Sequence, residues 1–213
     1  MKYLIINADD FGYSKIFNIE ILKLIKSGLI SSTTVMVNWI TDAQDEQVKD
    51  LIKLTQSHNV SVGLHLEFKN KDYKVSIEKQ FEKFTSIFGF EPSHVDIHKS
   101  SQLQDSFSSV AEFCRVRNLP ARNNMDTHDI KTTLNRARNG TKMNVGELKQ
   151  WIENLTDNES YEIVFHPGTY DPESKSSLNK ERENDVLKIK EINPLLKQHH
   201  IQLISFFDLT TAL

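Results

Sequence analysis

The chain has 213 residues, with 26 Lys plus Arg against 29 Asp plus Glu, so its formal net charge is −3 at pH 7. A nucleic-acid-binding surface normally carries an excess of basic residues, so we expect no nucleic-acid partner. No window approaches the roughly 18 apolar residues of a membrane span, and the acidic residues soon after Tyr3–Ile6 do not fit a signal peptide. The single Cys114 cannot form an internal disulfide. We therefore expect a soluble, cytoplasmic protein without a membrane partner.

Short β-branched runs alternate with longer segments of helical periodicity, which is typical of βα units around a parallel sheet. In chain order the sequence predicts strand Lys2–Asn7, a helix from Ser14 to Gly28, strand Ser32–Asn38, helix Asp42–Ser57, strand Val60–Phe68, helix Ser76–Phe88, strand His94–His98, helix Gln102–Asn118, a short strand Ala121–Asn123, helix Asn144–Leu155, strand Tyr161–His166, helix Leu178–Lys197 and strand Ile201–Ser205.

The number of βα units favours one α/β domain over residues 1–213, a (β/α) barrel that is irregular or has fewer than eight strands. An open doubly wound sheet is the alternative. Neither an internal repeat nor a long Pro, Gly or Ser linker divides the chain. The polar segment Asn123–Met143 is predicted to be a loop or lid.

Ionisable side chains stand at the predicted carboxyl ends of four strands, where ligands bind in both architectures. They are Asp9, Asp10, His65, His98 and His166. Strand alternation places further polar residues on the same inward faces, while the apolar residues between them face the helices. The inward set of the third strand is Ser61, Gly63 and His65, and that of the fourth is His94, Asp96 and His98.

Each candidate also has an ordinary structural explanation. Asp9 and Asp10 precede a helix, where acids commonly cap the helix or complement its dipole. A single strand histidine such as His65 is more often a hydrogen-bonded core residue than a ligand. The convergence of all the candidates on one end of different strands favours a site. The remaining histidines do not share that position and are predicted to lie at the surface: His58, His128, His199 and His200.

Two histidines and one aspartate around an open position suit a catalytic divalent metal. Zinc or magnesium is favoured, and manganese, iron, cobalt or nickel is compatible. Such an ion lowers the pKa of a bound water, towards about 7 for zinc, and polarises a carbonyl group. One of the two adjacent aspartates could bind the metal while the other takes a proton, and His166 could protonate a leaving group. A metal ion, a base and an acid together suit hydrolysis of an amide or ester.

Four motifs of the sequence resemble, in order, those of the YdjC-like carbohydrate deacetylases, which are relatives of the chitooligosaccharide deacetylases. They are Asn7–Gly12, Val62–Leu66, His94–His98 and Phe165–Gly168. The resemblance runs from residue 2 to about residue 206, and the segment Ser31–Thr34 with the later Asn38 also fits. It implies a (β/α) barrel that hydrolyses an acetamido group on a sugar.

The same resemblance implies roles for individual residues. Asp10, His65 and His98 would hold the metal ion. By analogy with the wider polysaccharide deacetylases, Asp9 would be the general base and His166 the general acid. Arg122 would orient the base.

Some residues depart from the family pattern as we expect it. Lys99–Gln102 follow His98 where further histidines are common, Glu67 stands where Thr or Asn is expected, and the segment between His65 and His98 is short. These departures concern the substrate more than the reaction. We assign Asn38 and Trp39 to the substrate-binding residues, since an aromatic face can stack on a sugar ring, although Trp39 could equally be ordinary packing.

The preferred function is a metal-dependent hydrolase that removes acetyl from an N-acetylated amino sugar or small oligosaccharide. The alternative is a catalytically silent, metal-dependent sugar-binding or regulatory protein. Hydrolysis of another acyl or phosphoryl group at the same site is a third hypothesis. A homodimer is left open.

Overall fold

The computed structural model describes residues 1–57, 60–124 and 129–209, in which strands and helices alternate along the chain. They are β1 (Lys2–Phe11), α1 (Lys15–Lys26), β2 (Ser32–Val35), α2 (Asp45–Ser57), β3 (Ser61–Leu66), α3 (Tyr73–Phe88), β4 (Val95–Ile97), α4 (Ser100–Arg117), β5 (Arg138–Asn139), α5 (Val145–Glu153), β6 (Ser160–Phe165), α6 (Arg182–Gln198) and β7 (Ile201–Leu203). Short 3-10 turns cover Val37–Trp39, Asp42–Gln44, Gly140–Lys142 and Phe206–Leu209.

The strands form one parallel sheet in the order β4-β3-β2-β1-β6-β5, with β7 paired to the start of β1. Because all the pairs are parallel, the carboxyl ends of the strands meet at one rim. Helices cover the outer face of the curled sheet. The predicted irregular (β/α) barrel with fewer than eight strands is confirmed.

A loop closes the seam between the two edge strands, β4 and β5. Arg122 N–H donates to the Val95 carbonyl at 3.1 Å, and Ala137 N–H donates to the Asn123 carbonyl at 2.9 Å. The predicted strand Ala121–Asn123 is therefore reduced to a single bridge between Ala121 and Val95. This segment places Arg122 between the edge strands of the barrel.

Helix α1 shows how the local sequence determines the boundaries of an element. The Ser14 side chain accepts a hydrogen bond from Ile16 N–H and caps the amino end. At the other end Gly28 has φ +66°, a conformation that glycine adopts at little cost. The residues between them bury one face: Phe17, Ile21, Leu24 and Ile25 are fully or almost fully buried.

The observed strand lengths differ from the predicted ones at the functional rim. Strand β1 continues to Phe11, four residues further than predicted, because Phe11 pairs with Val35. Strand β2 ends at Val35 rather than Asn38, because the chain turns into the 3-10 turn Val37–Trp39. The predicted loop Asn123–Met143 contains β5 and a 3-10 turn. No helix in the described ranges is long and apolar enough to cross a lipid bilayer.

A stacked pair of rings fills the barrel interior below the rim. The His94 ring lies parallel to Phe206, with centroids 3.6 Å apart and an angle of 5° between the planes. A Cβ atom at Gly63 would lie 2.4 Å from the nearest His94 ring atom, so only glycine leaves room for this ring on β3. Phe206 also packs with Ile5 and Ile204 in a small cluster inside the sheet.

We predict that Gly63→Ala destabilises the protein by about 1–3 kcal/mol, because the added methyl overpacks the His94 ring. The free energy of unfolding from urea titration measures the effect. Gly146→Ala is the matched control, since its Cβ would meet no ring or backbone atom outside its own helix and would approach only Oδ1 of the helix cap Asn144, at 3.2 Å. Equal stability of Gly63→Ala and wild type would contradict the close packing described above.

Candidate functional site

A cavity of about 700 Å³ opens at the carboxyl ends of the strands. Its volume is within the usual range of ligand pockets, roughly 300–1,000 Å³. The predicted catalytic and metal-binding residues meet here, although they come from separate parts of the chain. Asp9, Asp10, His98, Arg122 and His166 line the cavity, and His65 lies directly behind Asp10.

The backbone at Asp10 breaks the alternation of β1. Asp10 has φ +72°, and the β1 to β2 register shifts between Ala8 and Phe11. Such an irregularity redirects side chains at the end of a strand. As a result both adjacent carboxylates reach the same histidine: His65 Nε2 lies 3.8 Å from Asp9 Oδ2 and 3.5 Å from Asp10 Oδ1.

Asp10, His65 and His98 bring three potential metal ligands together. Asp10 Oδ1 lies 3.5 Å from His65 Nε2 and 3.3 Å from His98 Nδ1, and the two ring nitrogens are 3.2 Å apart. Ligands about 2.0–2.2 Å from a tetrahedral ion are separated by roughly 3.3–3.6 Å. Asp10 Oδ1 is also buried without a hydrogen-bond donor. These three residues, which we call the proposed ligand triangle, therefore fit a divalent cation.

A carboxylate stands on the far side of the His65 ring. His65 Nδ1 lies 3.0 Å from Asp96 Oδ2, so the ring presents Nε2 to the proposed ligand triangle. Burial alone would lower the pKa of His65, but the charge of Asp9 and the contacts with Asp10 and Asp96 raise it to about 10. The excess negative charge around this ring thus favours a positive charge in the site.

Arg182 holds the other oxygen of Asp10. This arginine is fully buried, its Nη2 donates to Asp10 Oδ2 at 2.6 Å, and its guanidinium lies 3.8 Å from the centre of the Phe17 ring. Nη2 also donates to Ser176 Oγ at 3.1 Å. Asp10 is therefore fixed with Oδ1 directed towards the two histidines.

Arg122 joins three buried carboxylates. It donates to Asp9 through two nitrogens, at 2.7 and 3.0 Å, to Glu162 through Nε at 2.8 Å, and to Asp96 through Nη1. Burial alone would raise the pKa of Asp9, but the charge and hydrogen bonds of Arg122 hold it well below its ordinary value. Asp9 is consequently ionised at neutral pH.

Glu162 is the third carboxylate that Arg122 holds. Burial raises the pKa of Glu162 to about 7, and the nearby Asp96 adds to the effect while Arg122 opposes it. Arg122 and Arg182 are the two guanidinium groups facing four carboxylates, those of Asp9, Asp10, Asp96 and Glu162. A divalent cation would balance the remaining negative charge.

His166 follows β6 and lines the cavity. Its Nε2 lies 3.7 Å from Asp9 Oδ2, and its Nδ1 lies 2.9 Å from Thr141 Oγ1. Burial lowers the pKa of His166 below the ordinary histidine value, against the charges of Asp10 and Asp9. The ring is therefore predominantly neutral at pH 7 and presents Nε2 to the cavity.

The structure separates the two predicted substrate-binding residues. Trp39 lines the cavity, is 41% exposed, and stacks on Tyr13 with centroids 4.5 Å apart. Its indole N–H donates to Glu67 Oε2 at 3.1 Å. Asn38 is exposed in the same 3-10 turn and is not among the side chains that line the cavity.

The other histidines lie away from the proposed ligand triangle. His94 faces the barrel interior as predicted but packs beneath the site. His200 is exposed and His199 half-buried, while His58 and His128 lie outside the described residues. Sequence reasoning missed several residues of the site or its support: Tyr13, Thr141, Glu162, Arg182 and Asp185. A signal existed for the last two, because they continue the buried stripe Val186, Ile189, Ile192 and Leu196 of α6.

The fold and the site together define an irregular (β/α) barrel with an aspartate and histidine cluster at the carboxyl ends of its strands. The chain belongs to the YdjC-like protein family, whose model matches residues 3–76 and 69–198. The resemblance of its sequence motifs to this family is thereby confirmed.

Relatives of the chain carry deacetylase names. It is 30% identical over 249 residues to a carbohydrate deacetylase of Clostridium beijerinckii, covering 97% of this chain and 99% of the relative. It is 26% identical over 260 residues to a chitooligosaccharide deacetylase of Yersinia pestis, with the same coverage of 97% and 99%. Both alignments exceed the 213 residues of this chain, so each relative has segments that this chain lacks.

A solved structure has the same fold. It is a protein of Enterococcus faecalis V583 described as a candidate cellobiose-phosphate cleavage protein, with a TM-score of 0.82 and 19% identity, and the match covers 98% of each chain. At this level of identity the similarity supports the barrel architecture alone.

We predict that the wild-type protein, loaded with zinc and desalted, retains one ion and that His65→Ala retains none, because the variant loses one of three ligands. Native mass spectrometry of the folded protein measures the stoichiometry. His200→Asn is the matched control: it removes an exposed histidine whose φ of +54° asparagine tolerates. A full equivalent of zinc in His65→Ala would contradict the ligand set.

Proposed function

We propose that this protein is a metal-dependent hydrolase that removes the acetyl group from an N-acetylated amino sugar or small oligosaccharide. The observation that carries the proposal is the arrangement of the three potential ligand atoms, 3.2–3.5 Å apart, beside Asp9, with His166 Nε2 3.7 Å from Asp9. The deacetylase names of the relatives support the substrate class.

Asp10, His65 and His98 would hold one divalent ion. Two imidazole nitrogens and one carboxylate oxygen favour zinc over magnesium, which prefers oxygen ligands, and are compatible with manganese, iron, cobalt or nickel. When bound, the ion supplies Lewis-acid chemistry: it polarises the acetyl carbonyl and makes water a stronger nucleophile at neutral pH.

Asp9 and His166 would divide the proton transfers. Asp9 is ionised and held by Arg122, so it can remove a proton from the attacking water. His166 Nε2, 3.7 Å from Asp9 Oδ2, would take up that proton from Asp9 and pass it to the amine nitrogen as the C–N bond breaks. The 3.7 Å between Asp9 and His166 keeps both groups close to the reacting atoms. The products are acetate and the free amine.

The aromatic pair of Tyr13 and Trp39 forms an exposed wall of the cavity. Aromatic faces suit the C–H face of a pyranose ring, so Trp39 would stack on the sugar while the acetamido group reaches the aspartates. Asn38 stays a prediction for the outer part of this surface. The single domain over residues 1–213, the cytoplasmic location and a homodimer likewise stay predictions.

Incubation of the metal-loaded protein with N-acetylglucosamine oligomers, followed by measurement of free acetate, tests the function. We expect release of acetate that stops when a chelator removes the metal. Sugar binding without acetate release, after loading with each of the compatible metals, would instead favour the silent sugar-binding or regulatory alternative.

We predict that Asp9→Asn lowers kcat by about 10²–10⁴-fold, because asparagine cannot accept the proton of water. Steady-state acetate release measures the loss. Zinc stoichiometry by native mass spectrometry is the control, since Asp9 lies outside the proposed ligand triangle and the metal should stay bound. Full turnover in this variant would exclude Asp9 as the base.

We predict that Trp39→Ala raises KM for an oligosaccharide about tenfold with little change in kcat, because the stacking surface is lost and the reacting groups are not. Trp39→Phe keeps an aromatic face and should restore most of the affinity. An unchanged KM in Trp39→Ala would assign this residue to packing on Tyr13.

A further inference from the structure

We infer that Thr141 is a positioning residue that sets the tautomer of His166, with Asp185 behind it. The inference rests on the proposed function only for the role of His166 in catalysis. The hydrogen-bond chain itself follows from the contacts of Thr141, Asp185 and Lys188, which lie in two parts of the chain that meet beside the cavity.

The pairing of β5 with β6 brings Thr141 to His166. Arg138 pairs with Ile163 and Asn139 with Val164, so the same register carried two residues further sets Thr141 level with His166. Gly140 allows this approach, because a Cβ atom there would lie 2.4 Å from the Phe165 ring. The pairing of β5 with β6 therefore holds these two segments close together.

The hydroxyl group of Thr141 has two contacts and one proton. Its oxygen lies 2.9 Å from His166 Nδ1 and donates to the Asp185 carboxylate through Oδ2. An ionised carboxylate only accepts hydrogen bonds. The threonine proton is consequently committed to Asp185, and the oxygen must accept from His166 Nδ1–H.

Asp185 is itself firmly held. It is fully buried, its Oδ2 accepts from His166 backbone N–H at 2.9 Å, and its Oδ1 is paired with Lys188 Nζ at 3.1 Å. Lys188 Nζ also donates to the Thr141 carbonyl at 2.8 Å. One ion pair thus fixes the backbone of His166, the backbone of Thr141 and the hydroxyl between them.

This chain leaves the neutral His166 ring with its proton on Nδ1 and its lone pair on Nε2. Nε2 is the nitrogen that faces Asp9 and the cavity. In the opposite tautomer Nε2 would already carry a proton and could not accept another. Thr141 therefore keeps Nε2 free to take up the proton that His166 passes to the leaving amine.

The test is ¹⁵N NMR of histidine-labelled protein at about pH 8, above the ordinary histidine pKa, where the two ring nitrogens report the tautomer. The spectrum of His166→Asn identifies the His166 signals. We expect the Nδ1–H form in the wild type, a shift towards a mixture in Thr141→Val, and restoration in Thr141→Ser. Thr156→Val, at an exposed position, is the matched control.

Kinetics of the same variants supply a second measurement. Thr141→Val should lower kcat about 10- to 100-fold with KM nearly unchanged, and Thr141→Ser should recover most of the rate. A wild-type ring protonated on Nε2, or a His166 tautomer that Thr141→Val does not alter, would overturn the inference. Failure of the wild type to release acetate, with the expected tautomer present, would count against the proposed function and support the positioning of His166.

Discussion

The structure depends on how the barrel interior accommodates buried negative charge. Four buried carboxylates from β1, β4 and β6 face one another. Without cationic partners, burial of these charged groups would be strongly unfavourable. Two buried guanidinium groups, from a loop and from α6, neutralise part of that charge. Asp10 Oδ1, which accepts no hydrogen bond, faces two histidine nitrogens, and a cation there would offset further negative charge.

The left-handed backbone conformation of Asp10 determines where the carboxylates of Asp9 and Asp10 point. A regular strand would send Asp9 and Asp10 to opposite faces, one into the barrel and one towards the helices. With φ at +72°, both carboxylates stay at the rim but have different partners: Arg122 holds Asp9, and Arg182 holds one oxygen of Asp10. Two chemically identical residues thereby acquire different roles, one suited to take a proton and one suited to bind a cation.

Periodicity predicted the inward-facing site residues of β3 and β4, but it missed Glu162 on β6. Alternation along β3 and β4 correctly placed His65 and Asp96 on the inward face, because a parallel sheet repeats that pattern wherever its other face is covered. The succession of strands and helices favoured the barrel over an open doubly wound sheet, and the structure confirms the barrel. Strand ends were less predictable, since β1 continues through two aspartates to Phe11, which pairs with Val35 of β2.

The supporting residues depend on contacts between distant parts of the chain. Arg182 reaches Asp10 across 172 positions, and Arg122 reaches Asp9 across 113. No local pattern specifies such pairs. A trace of such residues in the sequence is a charged residue where the periodicity calls for an apolar one, as with Arg182 and Asp185 in the buried stripe of α6.

The segment between β4 and β5 shapes the binding surface without belonging to the paired strands of the barrel. A ring sealed entirely by strand pairs would resist changes in length, whereas here an irregular segment completes the circle and also forms part of the cavity wall. Insertions or deletions in such a segment leave the ladder of the central strands intact. A change of length in this segment therefore reshapes the cavity wall and leaves the side chains on the central strands in place.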